Sequence, residues 1–350
     1  MNVNVHSHVM TVESQYSAGD IGPTFTTDDN GFHLKFGPFE RVGLKSVDMI
    51  ENAKKVGMEQ AAADWYRRFS DPTLRLAEMD EKGIDILGVT MSPIVYGYFL
   101  DDETGRRHAR VQNEGLATYC QADPARLFFM ATLPMQDPAG SAAEVDYAVG
   151  ELGAKAINIA GSLLGGRELD DPALDAIWER VAAHDVPIFI HPSLHSSENE
   201  TAFTKWAPIL GYPYQETVAF TTILLGGILD RFPGLNFYIT HGGGFAPYQF
   251  GRVERMADAY GYNHAERPLR DYLSNFYFDV LIHDVKARRF LVDWAGPDQV
   301  IVGDNYDGID SATGFAFLDE LGLPAGAREK IAGGNAVELF HLTALARAGR

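Results

Sequence analysis

Cysteine is all but missing from this chain: Cys120 stands alone among 350 residues, which rules out an internal disulfide and a cysteine-built zinc cluster. It reads as a small apolar filler on a helix face. No apolar run approaches the roughly 20 residues that a membrane span requires. Positive charge is scarce, with 29 Lys and Arg against 48 Asp and Glu and a formal net charge of -19. Nucleic acids and anionic membranes need a positive footprint, so the general surface excludes both as partners, and an anionic substrate needs a local positive site. A phosphate-binding G-x-G-x-x-G turn is also absent. Gly242-Gly243-Gly244 is the only glycine cluster that follows a strand-like run, and it reads as a tight turn rather than a phosphate cradle. A start made of candidate metal ligands leaves no room for a secretory signal, and the lone thiol suits a reducing compartment, so a cytoplasmic location is expected.

What is present is an α/β rhythm. After a short first strand, residues from about 10 to 71 are irregular in pattern, too long a stretch to be mere linker. Strand patterns then fall at 84–91, 127–133, 154–159, 187–191, 235–241, 276–282 and 300–303, separated by helical patterns at about 105–121, 139–152, 172–184, 216–231, 245–259 and 284–294. Eight strands alternating with helices predict a (β/α)8 TIM barrel with a long insertion after the first strand, forming a single domain over 1–350. An open doubly wound sheet has fewer strands and a glycine-rich first turn.

Chemistry-bearing residues stand where such strands end. Residues 2–8 alternate like a strand, which predicts that His6 and His8 of the His6-Ser7-His8 triplet point the same way as a two-pronged metal grip. His191, His241 and Asp304 each close an apolar run. Neutral imidazoles with one carboxylate suit zinc or a similar divalent ion, and active sites in this fold gather at the carboxyl ends of the strands.

Several blocks carry a family likeness over nearly the whole chain: Val5-His6-Ser7-His8, Arg75 to Gly83, Leu133-Pro134-Met135-Gln136, Ile190-His191-Pro192, Leu225 to Leu235, Thr240 to Gly244 with Pro247 and Gly251-Arg252, Leu281-Ile282-His283-Asp284, and Gly333-Gly334-Asn335-Ala336. With them the chain resembles the amidohydrolase-related family typified by aminocarboxymuconate-semialdehyde decarboxylase. The resemblance implies that His6, His8 and His191 bind one divalent metal and that His241 is a catalytic acid/base. It also implies that the acid closing the eighth strand completes the shell, and that a homodimer brings Arg252 to a substrate carboxylate in the neighbouring subunit. The family's last motif, Gly-x-Asp-Tyr-Pro, is here Gly303-Asp304-Asn305-Tyr306-Asp307. Its alignment would put Asn305 in the acid's place, while chemistry favours Asp304, since a carboxylate binds a hard cation and takes up a proton better than an amide. The aromatic after the His-Pro pair is replaced by Ser193, and the early substrate arginine has no clean counterpart beyond Lys35 and Arg41, so a different substrate is expected.

Lys155 lies near the start of the fourth strand, not at its carboxyl end where binuclear relatives carry a modified lysine, so a mononuclear site is expected. Ser193, His195, Tyr96 and His283 are candidate substrate contacts. For each a plainer reading exists: packing for Tyr96 with Tyr98 and Phe99, a loop position for His195, and helix capping through Asp284 beside His283. Arg252 reads equally as a solvated helical arginine in a salt bridge. His33, His108, His184, His264 and His341 read as structural or surface residues. The leading expectation is a metal-dependent nonoxidative decarboxylase of an unsaturated or aromatic carboxylic acid, with Zn2+ first and Mn2+, Fe2+ or Co2+ as alternatives. Its rivals are a hydrolase of the same fold, cleaving a C-C, C-N or C-O bond, and a binding barrel whose metal site has decayed.

Overall fold

The protein is described as a computed structural model over residues 1–163, 167–193, 207–305 and 314–348. Its strands, in chain order, are β1 (Val3–Asn4), β2 (His8–Val9), β3 (Thr24–Asp28), β4 (Gly31–Phe36), β5 (Phe39–Leu44), β6 (Ile86–Met91), β7 (Leu127–Thr132), β8 (Ala156–Ala160), β9 (Ile188–His191), β10 (Phe237–Ile239), β11 (Phe276–Asp279) and β12 (Val300–Ile301). The main sheet runs β1-β6-β7-β8-β9-β10-β11-β12, with every pairing parallel. The Val5 N–H donates to the Val302 carbonyl at 3.1 Å and links the last strand to the first. This is the expected (β/α)8 barrel.

Within it the inward register is legible strand by strand. Val3, Val5, Ile86, Phe128, Met130, Ala156, Phe189, Tyr238 and Ile301 form an inner core at the amino-terminal end. Phe340 closes that end against the Phe128 and Tyr238 rings. Two residues further along, or four in β6 past Gly88, the same side of strands β6 to β11 carries Thr90, Thr132, Asn158, His191, Thr240 and Asp279, all buried. Period-2 alternation thus turns an apolar floor into a polar mouth on every strand. The intervening residues, such as Leu87, Val89, Ile157, Ile159, Phe276 and Phe278, face the helices in the outer core.

The first strand departs from its predicted form. It is not one run from Asn2 to His8 but two pieces, both paired with β6, whose register slips by one residue between Asn4↔Leu87 and His8↔Thr90. Val5 lies in the inner core, and the very next residue, His6, packs edge-on against Phe189 at 5.6 Å. Two successive inward residues require the extra residue of a bulge. That bulge, not simple alternation, aims His6 at the barrel mouth, and the His6 N–H it frees from the ladder is taken by the Asn4 Oδ1 at 3.1 Å.

The stretch between the first two barrel strands is more ordered than its pattern suggested. β3, β4 and β5 form an antiparallel sheet, followed by helices Val47–Val56 and Met58–Ser70. Phe25 and Phe32 pack on Trp65 and Tyr66, while Phe36 meets Phe99 and His108 of the barrel. The helix expected at 216–231 is Tyr212–Leu225 followed by Ile228–Arg231, broken at Gly226 and at Gly227, whose φ is +68°. No helix among the described residues is long and apolar enough to cross a membrane.

Candidate metal centre and proton-transfer site

Four imidazoles meet at the carboxyl end of the barrel. Among the described residues, His6, His191 and His241 are the one group of His, Cys, Asp or Glu whose ligand atoms all lie within 4.8 Å of one another. His8 joins through its Nε2, which faces the His191 Nε2 at 3.2 Å. The His191 Nδ1–H donates to the Pro192 carbonyl at 2.7 Å, so its Nε2 carries a lone pair. Two cis ligands with bonds of about 2.0–2.1 Å to one ion sit about 3.0–3.4 Å apart, so this pair is spaced to share a cation. Burial first, then the neighbouring imidazoles, hold His8 and His191 well below the usual histidine range. Both rings are therefore neutral, the form that binds metal.

His6 is set from behind by Asp279. Its Nδ1 lies 2.9 Å from the Asp279 Oδ2, which also accepts from the Tyr238 hydroxyl at 3.3 Å. The other oxygen accepts the N–H groups of Gly242 and Leu281 at 3.0 and 3.1 Å. A carboxylate behind a ligand histidine fixes its tautomer and leaves Nε2 for the ion. Burial pushes the Asp279 carboxyl up to about 6, against the opposing pull of His241 and the backbone donors. These donors, neutral nitrogens with a buried carboxylate behind one of them, fit a divalent ion of the zinc and manganese class.

His241 occupies a strained corner. Its φ of +46° is left-handed, and Gly242, Gly243 and Gly244 follow at +65°, +75° and +62°. A Cβ on Gly242 would lie 2.4 Å from Ile282 and one on Gly244 2.0 Å from the Pro213 carbonyl. The glycine run therefore lets the chain fold back beneath the imidazole, as the sequence suggested. The His241 Nδ1 lies 2.6 Å from the Oε1 of Glu216, which also accepts from the Thr240 hydroxyl. Glu216 is completely buried, and burial pushes its carboxyl up to about 7, with His241 and Thr240 pulling the other way. With Nδ1 engaged, Nε2 is the atom of His241 that exchanges a proton with a ligand.

The remaining candidates fall in different places. Asp304 follows Gly303, whose missing Cβ would meet the Tyr238 hydroxyl and the His6 Cβ. Its own Oδ1 accepts from the Asn4 Nδ2, so its carboxylate is engaged on the wall between first and last strands. Asn305, buried at φ +47°, ends the described part of that segment. Tyr96 donates to the Asn158 Oδ1 at 2.7 Å, and its ring stands 5.3 Å from that of Tyr98. Ser193 is clamped by Gln215, which accepts its N–H and donates to its carbonyl at 2.9 and 2.8 Å. His283 is exposed on the cleft beside His241, and Asp284 caps the helix Val285–Ala295. Arg252 is exposed on the helix Ala246–Tyr260 and makes no ion pair with the described residues. His195 lies outside the described residues. The carboxyl-terminal half of β8 is Asn158-Ile159-Ala160, with no lysine in it.

The sequence profile of the Amidohydrolase family matches residues 3–342. The chain belongs to that family. Among curated relatives, 2-amino-3-carboxymuconate-6-semialdehyde decarboxylase of Dictyostelium discoideum is 29% identical over 283 residues, covering 78% of this chain and 77% of that protein. Among solved structures, 5-carboxyvanillate decarboxylase from Sphingomonas paucimobilis superposes with a TM-score of 0.77 at 26% identity, over 98% of this chain and 99% of the other. A 5-carboxyvanillate decarboxylase from Novosphingobium aromaticivorans, solved with manganese and 4-hydroxy-3-methoxy-5-nitrobenzoic acid, matches with a TM-score of 0.72 at 25% identity, over 85% and 88% of the two chains.

Two acids of this amidohydrolase site escaped sequence reasoning. Glu216 sits inside an apolar helix, where a lone glutamate reads as the solvent face. Asp279 falls in the middle of the run predicted at 276–282, where it reads as one polar break in an apolar strand, whereas in the structure it ends β11. An acid at a buried helical or inward strand position was the signal available for each.

Proposed function

We propose that the protein is a metal-dependent, nonoxidative decarboxylase of an aromatic or unsaturated carboxylic acid. The observation that carries this is the pairing of buried Glu216 with His241 beside the imidazole cluster, a proton donor with its own counter-charge, in a chain whose relatives include several decarboxylases. One ion, zinc before manganese on the imidazole-rich donor set, would be held by His6, His8 and His191, with the eighth-strand end at Asn305 beside them. Bound there, a divalent cation supplies a Lewis acid that draws charge from a substrate oxygen.

This chain's residues do the rest. In the imidazolium form His241 keeps Nδ1–H on Glu216 and presents Nε2–H to the carbon bearing the carboxylate. The proton passes to that carbon, the bond to the carboxyl carbon breaks, and its electron pair remains with the ring or alkene as carbon dioxide departs. Glu216 stabilises the positive charge on His241 before transfer and orients the ring throughout. Asp279 holds His6, and Gln215 holds the Ser193 loop, so both neighbours of the reacting centre are fixed by buried side chains. A homodimer placing Arg252 near a second copy's site belongs to the same reading.

The test is elemental analysis beside carbon dioxide release from hydroxybenzoates, for wild type and His6→Ala, His191→Ala and His241→Ala. The reading expects about one metal per chain, lost with His6 or His191 and kept without His241, and carbon dioxide release lost in all three. Product formed without carbon dioxide would replace it with hydrolysis.

A further inference from the structure

Three adjacent strands carry inward polar side chains that the proposed mechanism leaves unused. Thr90 of β6, Asn158 of β8 and Thr132, the last residue of β7 between them, are all 0% exposed. Their arc adjoins the imidazole cluster at both ends. Thr90 pairs with His8 across β6 and β2. Asn158 pairs with Phe189, whose ring stacks on His191 at 6.2 Å and meets His6 edge-on at 5.6 Å. His6 is itself 0% exposed and His191 2%, so this wall lies no deeper than the metal site beside it.

The arc holds more donors than acceptors. Tyr96 donates to the Asn158 Oδ1 at 2.7 Å. Burial first, then the neighbouring Tyr98 phenol, hold Tyr96 well above the ordinary tyrosine range, so that proton stays in place. With its carbonyl oxygen taken, Asn158 gives one Nδ2 hydrogen to the Thr90 Oγ1. The second Nδ2 hydrogen and the Thr90 hydroxyl hydrogen then have no acceptor among the described residues. Thr132 is bound through its backbone, whose N–H and carbonyl are both held by Asn113, at 2.8 and 3.0 Å. Its Oγ1 is buried with no partner among the described residues. A buried polar group left unpaired destabilises a fold, and three such donors on adjacent strands call for an acceptor that the fold does not supply.

We infer that Thr132, with the Asn158 amide and the Thr90 hydroxyl on either side, forms an oxygen-binding subsite of the barrel mouth, which takes a second oxygen substituent of the substrate, a ring hydroxyl or its anion, through neutral donors. This rests on the decarboxylase reading and deepens it. The test compares salicylate with the dihydroxybenzoates that add one hydroxyl to it at each ring position in turn. Carbon dioxide release gives kcat/KM, and calorimetry gives affinity, for metal-loaded wild type, Thr132→Val and Thr132→Ser. The preferred dihydroxy acid should exceed salicylate by about tenfold or more in kcat/KM. Thr132→Val should cut that preference by about fivefold or more, and Thr132→Ser, which keeps the hydroxyl, should retain it. Valine removes an unpaired hydroxyl with little change of shape, so the urea midpoint of Thr132→Val without substrate should equal or exceed that of wild type. No preference for any dihydroxy acid, or a preference unmoved by Thr132→Val, would overturn the inference and leave decarboxylation standing. So would a lowered urea midpoint for that variant, since the hydroxyl would then have a structural partner such as water. No carbon dioxide from any acid, with a dihydroxy acid still bound tighter than salicylate in a Thr132-dependent way, would remove the decarboxylase reading and keep the subsite. No release and no such binding would remove both.

Discussion

Replacing Glu216 with glutamine separates orientation from charge in the proton-transfer pair. The Oε1 accepts from both the Thr240 hydroxyl and the His241 Nδ1, the latter at 2.6 Å, while the Oε2 is buried with no hydrogen-bond partner among the described residues. Glutamine can keep its carbonyl oxygen where Oε1 now lies, so the imidazole stays in place and keeps its tautomer. Its NH2 then fills the Oε2 position without an acceptor, which costs about 1–3 kcal/mol of stability. The larger effect is on rate. A neutral amide no longer offsets the imidazolium charge beside a fully buried position, and general acid catalysis of this kind is worth about 10²–10⁴-fold. We expect kcat to fall about 10²–10³-fold, close to 3–4 kcal/mol of barrier, with metal content unchanged and KM altered far less. The assay is carbon dioxide release under saturating substrate, with elemental analysis and a urea melt on the same preparations. A variant within threefold of wild type in kcat, still folded and metal-loaded, would show that Glu216 is structural only.

Three further outcomes follow from named contacts. Gly244→Ala places a Cβ 2.0 Å from the Pro213 carbonyl at a φ of +62°, and both the clash and the left-handed backbone oppose it. A loss of at least about 3 kcal/mol in a urea melt is expected, and a change under about 1 kcal/mol would contradict the geometry. His108 is buried between the Ser17 hydroxyl and the Val95 carbonyl at 2.8 and 2.7 Å, and burial pushes it down to about 4. The unfolded chain takes up this proton from about pH 6.5 downward and the folded one only near 4, so its contribution is whole above pH 6.5 and lost as pH falls toward 4. Between pH 7 and 5 wild type should lose about 2 kcal/mol more stability than His108→Gln, and parallel pH profiles would exclude the assignment. Phe32→Ala, in the core of the inserted sheet, removes a fully buried ring stacked on Tyr66 and set edge to face with Trp65. It should cost about 3–5 kcal/mol, which proteolysis within residues 24–70 would report; cleavage no faster than in wild type would show that the sheet does not depend on this ring.

Much of the barrel was legible because its strands repeat one physical instruction. Leu127–Thr132, Ala156–Ala160 and Ile188–His191 are buried on both faces, so they read as apolar runs bounded by turns, and their ends mark where site residues stand. The histidines were legible for that reason. The bulge at Val5–Ser7 was not, since it depends on which β6 residue each half pairs with, and the sequence carries no mark of a one-residue slip. Glu216 and Asp279 were hidden for another reason. Each acquires meaning from a partner 25 or 273 residues away in sequence, and neither spacing is a period of helix or strand. The sheet β3 to β5 was readable in part: Phe32, Leu34 and Phe36 alternate with His33 and Lys35, but many polar and glycine residues around them masked the pattern.

The eighth strand is where local pattern and metal chemistry pull apart, and one substitution weighs them. Ile301 faces inward, and Gly303 does so beside the His6 Cβ, so the inward register leads on to Asn305. Asp304 falls on the intervening side and gives its Oδ1 to Asn4. A shell of imidazoles closed by an amide is neutral and favours zinc or cobalt, whereas an added carboxylate strengthens the hold on any divalent ion and most improves that on manganese. Asn305→Asp should therefore tighten metal retention against a chelator by about tenfold or more and raise manganese relative to zinc. Asp304→Ala should act mainly by leaving the Asn4 amide without its acceptor, a loss of about 1–3 kcal/mol in stability with metal retained. The reverse pattern, metal stripped by Asp304→Ala and unmoved by Asn305→Asp, would mean that Asp304 leaves Asn4 and turns into the shell when the ion binds.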